Sequence, residues 1–191
     1  MKINKKFLQV YSSLTQGSTE FDLNHFQKEA EKYMLDEARG DLVASTIKGI
    51  LETNTVFNNQ ELAVDLFNSI GDEHYYLEII PKISFGRRQG HTNGVAKFIR
   101  DNPSLNVLVV TQSSCMVQHI NSTISSYGNF DNYEVFSFSN QSSIARLRNN
   151  VNVVLVDEQP HPNSTTRPSF HSLVRTAIGK GIPLIVLGTM Y

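Results

Sequence analysis

Two textures divide the chain. Between residues 7 and 68 apolar side chains recur at three- and four-residue steps: Phe21, Leu23, Phe26, Ala30, Tyr33 and Met34 form one series, and Leu42, Val43, Ile47, Ile50 and Leu51 another. That spacing lines one face of a helix, and Asp22 and Asn59 stand where N-caps belong. From Tyr75 the period changes, and short β-rich runs alternate with helix-like ones. Strands are expected over 77–85, 106–112, 133–139, 151–158 and 183–189, with helices over 92–101, 113–128, 142–150 and 169–181, each opened by Ser or Thr. Strands separated by helices imply right-handed crossovers and a parallel sheet covered on both faces. The apolar runs VLVV, VVLV and LIVL suit strands buried on both sides. Pro81 demotes the early half of the first strand to an edge or an approach segment. The expected fold is α/β: a mostly parallel five-stranded sheet with helices on both faces (75–191), preceded by a small helical subdomain (1–74).

Composition narrows this little. The chain has 191 residues, 40% of them hydrophobic and 18% charged, with a formal charge of −1. This is ordinary globular usage for one substantial domain. Near-neutral charge neither favours nor excludes nucleic acid, because a local basic patch can coexist with it. The one cysteine, Cys115, cannot form an intramolecular disulfide, which suits a reducing compartment. No stretch approaches the ~20 apolar residues of a membrane helix, and the N-terminus lacks a signal-peptide core. A cytoplasmic protein with no membrane partner is expected.

Chemistry is sought at the carboxyl ends of the strands, where open parallel sheets bind ligands. All five ends are polar or glycine-bearing: SFGRRQGHT, VTQSS, FSNQSS, VDEQPH and LGTMY. In the first, a strand, a tight turn and a helix start gather backbone N–H groups and the positive end of a helix dipole around one point. That arrangement favours a phosphate anion. Gly90 would allow close backbone approach, and the Thr92 hydroxyl would meet magnesium. Against G-x-x-x-x-G-K-[ST], the first glycine is Gly86 rather than residue 85, and His91 fills the lysine slot. A turn followed by a capped helix would read the same way. In the fourth, an apolar strand ends in Asp157 and Glu158, which suits a carboxylate held near magnesium and one that polarises water.

With these two motifs in this order, the region from Tyr75 onward resembles the ATPase core of the additional-strand P-loop NTPases, and within them the large terminase subunits of tailed phages and related helicases. Terminases often carry an R-x-x-G-K-[ST] loop, and Arg87 stands three residues before Gly90. The resemblance implies ATP and Mg2+ as ligands, with Gly86, Arg87, Arg88, Gln89, Gly90, His91 and Thr92 around the phosphates. It implies Thr92 and Asp157 at the metal, and Glu158, Arg87 and Thr189 in catalysis or its coupling. Thr111 and Gln112 match a second-strand motif that often faces nucleic acid in helicases. The implied activity is Mg-dependent ATP hydrolysis linked to DNA handling or packaging, in the host cytoplasm for a phage protein. A complete packaging motor is longer than this chain, so a standalone ATPase or a fragment is expected. The segment before Tyr75 matches no family and is free to dock a protein partner; the sequence leaves homo-oligomerisation open.

Histidine changes the chemistry. Lysine brings a fixed charge to the phosphates, whereas an ordinary imidazole is mostly neutral above pH 7 unless a nearby phosphate raises its pKa. Arg87 and Arg88 offer permanent charge instead. Nucleotide binding therefore survives the exchange more easily than hydrolysis. A non-hydrolysing relative acting as a regulatory or protein-interaction module is the competing reading. His119 and His171 are expected at the surface or a boundary, Arg167 as a loop charge, Cys115 as a buried small residue, and the aromatics of YEVFSFS as packing.

Overall fold

A computed structural model describes residues 23–53, 80–84, 90–138, 147, 150–161 and 163–188. The elements run α1 (Leu23–Thr53), β1 (Lys82–Ile83), α2 (His91–Asp101), β2 (Val107–Thr111), α3 (Ser114–Tyr127), β3 (Tyr133–Ser137), β4 (Val153–Asp157), α4 (Arg167–Gly179) and β5 (Leu184–Leu187). The five strands form one all-parallel sheet in the order β1-β5-β4-β2-β3. The expected fold class is what the chain adopts. Each described strand lies inside its expected run, and the expected helix over 142–150 falls mostly outside the described residues.

Side-chain alternation along the strands builds two cores. Val107, Val109, Val153, Leu155, Ile185 and Leu187 face α1, α2 and α3, whereas Leu108, Val110, Val154, Val156, Leu184 and Val186 face α4. Every residue of β2, β4 and β5 is buried, which is why their sequences are continuous apolar runs rather than alternating ones. Burying each such side chain contributes about 1.5–3 kcal/mol. Pro81 sits just before β1, and its carbonyl accepts from the Val186 N–H at 3.0 Å. Proline's missing donor therefore costs no ladder bond.

α1 is a single helix of 31 residues. Val43 and Ile47 are fully buried in the same cluster as the sheet, with Ala44, Ile50 and Leu51 packed against them. Met34 and Leu42, expected on an apolar face, are 70% and 52% exposed. They lie off the stripe that meets α2, so periodicity overstated its width. The crossing is close. A Cβ on Gly94 would stand 2.4 Å from Val43, and one on Gly40 would stand 3.2 Å from the Asn93 Cβ. Lys97, buried in α2, reaches across this contact to Asp41 at 2.6 Å and Glu37 at 2.8 Å, and Tyr127 from α3 donates to Glu37 at 3.0 Å.

Candidate functional site at the carboxyl rim

The register of the sheet brings Ile83, Leu187, Asp157, Thr111 and Ser137 into one row across all five strands. This row is the carboxyl rim. Asp157, Thr111 and Leu187 follow odd-numbered neighbours that face α2 and α3, so alternation directs their side chains to the side on which α2 begins. In three of the four strand pairs one further bond extends the ladder past the row. The Gly188 N–H donates to Ile83 O (2.9 Å), the Glu158 N–H to Leu187 O (2.8 Å) and the Phe138 N–H to Thr111 O (2.8 Å).

α2 rises from this rim. Its N-cap is Gly90, in the left-handed region at φ 75°, and the helix starts at His91, one residue before the expected Thr92. Gly90 O accepts from Gly94 N at 2.8 Å, and no side chain caps the helix. The N–H groups of its first turn, on His91, Thr92 and Asn93, thus form the electropositive end of the helix. A Cβ on Gly90 would stand 3.0 Å from Arg39 Cβ and 3.2 Å from Gly40 N. The glycine is therefore required by its backbone angle and by contact with α1.

The acidic pair closes the other side. Asp157 is 6% exposed, and burial first, then the neighbouring Glu158 charge, push its carboxyl up to about 6. Glu158 is exposed and adopts a left-handed backbone at φ 65°, unusual for a side chain of its size. Such strain costs on the order of 1–3 kcal/mol and recurs at functional positions. Burial lowers the pKa of His91 below its ordinary 6.5, while the Glu158 charge pulls it back up. His91 and Glu158 thus sense each other across the rim, although 67 positions separate them in a chain of 191 residues. Between β1 and β4 runs β5, so two strand spacings, about 10 Å, divide the loop strand from the acid strand. Gly188, just past the end of β5, has φ 99°, and a Cβ there would stand 3.1 Å from the Glu158 Cγ.

Of the expected site residues, Gly90, His91, Thr92, Asp157 and Glu158 lie on this one edge of the sheet. Gly86, Arg87, Arg88, Gln89 and Thr189 lie outside the described residues. Thr111 is 1% exposed and packs beside Asp157, so it presents no outward surface for nucleic acid. Gln112 spans the rim and donates to Gln159 O at 3.3 Å. Gly188 and Gln159 were not picked out from the sequence, although a glycine ending the run LIVL is the available signal for the first.

Three expectations are corrected. Cys115 is exposed: it lies in the first turn of α3, on the side of the helix away from the core. Arg167 is no loop charge: it opens α4, donates to Pro160 O at 2.9 Å and lies 5.7 Å above the Phe170 ring. Of the Ser and Thr expected to cap helices, among the described residues only Ser113 does so, accepting from the Met116 N–H. The aromatics of YEVFSFS do pack, with Phe138, just after β3, edge-on to Phe170 at 5.8 Å. No group of three or more His, Cys, Asp or Glu gathers as a metal centre among the described residues. No helix there is long and apolar enough to cross a membrane. In comparisons of the whole sequence, no family model matches the chain, and neither does any curated protein.

Proposed function

We propose that the carboxyl rim binds ATP with Mg2+ and hydrolyses it slowly, in a P-loop NTPase of terminase or helicase type that handles DNA. The observation that carries the reading is the juxtaposition of the uncapped start of α2 with Asp157 and Glu158, within electrostatic reach across one strand. The first-turn N–H groups suit a phosphate. Asp157, a carboxylate disfavoured by its own burial, is an apt cation ligand, since a bound cation would restore its charged form. Magnesium takes few protein ligands and keeps waters and phosphates for the rest, and Asp157 and the Thr92 hydroxyl are the groups that would hold it. When bound, the ion would neutralise phosphate charge. Glu158, exposed on its strained backbone, is the group to orient and deprotonate an attacking water. Arg87 and Arg88 would supply the fixed charge that His91 lacks, Gly86 and Gln89 would complete the loop, and Thr189 would couple the end of β5 to the nucleotide.

One observation favours the second reading, a regulatory or protein-interaction module that binds without hydrolysis: burial makes His91 a poorer cation than an ordinary histidine. Calorimetric unfolding and phosphate release decide between them. Mg-ATP at 100 times its Kd is expected to stabilise the protein by ~2.7 kcal/mol. Glu158→Gln should keep that gain and lose phosphate release, while His91→Lys should raise turnover. Stabilisation without release in any of the three proteins selects the module; no stabilisation of the wild type removes both readings.

A further inference from the structure

On the α4 side of the sheet, the segment after β4 and the first turns of α4 enclose an open groove of about 470 Å³. Asn163, Ser164, Arg167, His171, Ser172 and Arg175 line it, and no carboxylate does among the described residues. Arg167 and Arg175 are eight residues apart on one helix, which sets them ~12 Å apart along its axis. Ser172 and His171 fall between them, and Asn163 and Ser164 extend the polar lining toward the rim. Arg167 is already fixed, by its bond to Pro160 O and its place over Phe170, so little side-chain entropy is lost when its remaining N–H groups meet a ligand.

We propose that this groove holds the phosphodiester backbone of a single nucleic-acid strand, with Arg167 and Arg175 each meeting a phosphate. Guanidinium forks engage phosphate oxygens in pairs, and neutral hydroxyl and amide donors add sequence-independent bonds. The site rests on the nucleic-acid part of the reading above but not on hydrolysis, since it lies on the opposite face of the sheet from α2. Pro160, the acceptor for Arg167, is two residues beyond Glu158, so groove and rim share one short segment.

Fluorescence anisotropy of a labelled oligothymidylate, without ATP or Mg2+, tests the site. The wild type is expected to bind with a log K against log salt slope near −1.4, about −0.7 for each of two neutralised phosphates. Arg175→Glu combined with Ser172→Glu, both exposed positions, should weaken binding by about tenfold and roughly halve the slope. Unchanged circular dichroism and unchanged Mg-ATP stabilisation would confirm that the variant is folded. If the variant binds the strand as the wild type does, the groove is wrong while the nucleic-acid reading stands. If the wild type binds no strand, both fall and nucleotide binding is untouched. Displacement by inorganic tripolyphosphate at equal phosphate concentration, or equal binding of a polyglutamate peptide, would overturn the strand in favour of a free anion or an acidic protein.

Discussion

Asp157 combines a cost to folding with a use at the rim. The folded protein holds its proton more tightly than the unfolded chain, with a pKa of about 6 against the ordinary 3.8. Its contribution to stability is therefore fully present below about pH 4 and is lost as the pH rises through 6. The span corresponds to about 3 kcal/mol. Asp157→Asn is expected to unfold at higher urea than the wild type at pH 7.5, by about 1–3 kcal/mol, with the difference fading at pH 4. The same variant should lose the stabilisation by Mg-ATP. A variant no more stable at pH 7.5 would mean that the buried carboxylate is already compensated. Such a gain in stability at the expense of ligand binding is what a site residue gives and a packing residue does not. Acidic residues often end strands, so the acid pair was legible only together with the glycine-bearing turn before α2, in that order along the chain. The left-handed turn at Glu158 was not, since no local residue type announces it. Nor was the exposure of Cys115, which depends on which side of α3 meets the sheet.

Strand centres were read accurately because a run such as VVLV has no polar residue to place in water, and a sheet buried on both faces accepts it whole. Helix starts were read less well. Gly90 rather than a hydroxyl opens α2, and its reason is a contact with α1, a segment about 50 residues earlier in the chain. α1 itself was read as helical, but its length and the outward aim of Met34 and Leu42 depend on what it packs against. The α1–α2 crossing allows a sharp test. Alanine suits a helix interior better than glycine by about 0.5–1 kcal/mol. At Gly94 the added methyl would enter Val43, where only 2.4 Å is available. Gly94→Ala is therefore expected to destabilise by about 1–3 kcal/mol in urea unfolding, against its helix preference. Val43→Ala in the same chain should recover little of the loss, because it removes Cγ1 but leaves the Val43 Cβ at the same 2.4 Å, with Gly40 O at 3.1 Å.

At the scale of the molecule, a buried ammonium adds to the packing that ties α1 to the rest. Lys97 has a side chain 3% exposed, whereas its partners Glu37 and Asp41 are 28% and 69% exposed, so only one member of the network is deeply desolvated. Lys97→Met keeps the buried stem and discards the charge. Glu37 then retains the Tyr127 hydroxyl, and Asp41 retains water. The expected loss is about 1–2 kcal/mol, below the 3–5 kcal/mol typical of a fully buried broken pair, and thermal unfolding would measure it. Amide exchange should quicken in α1 before it quickens in β2 or β4.

The row from Ile83 to Ser137 also acts as a ruler. Sliding β4 by one residue would advance it about 3.3 Å and reverse every side chain on it, turning Asp157 toward α4 and bringing Val156 into its place. No intermediate setting exists between those two. Whatever evolution adjusts around this rim, the acid itself can only be correctly seated or absent, and small refinements must come from the loops that face it.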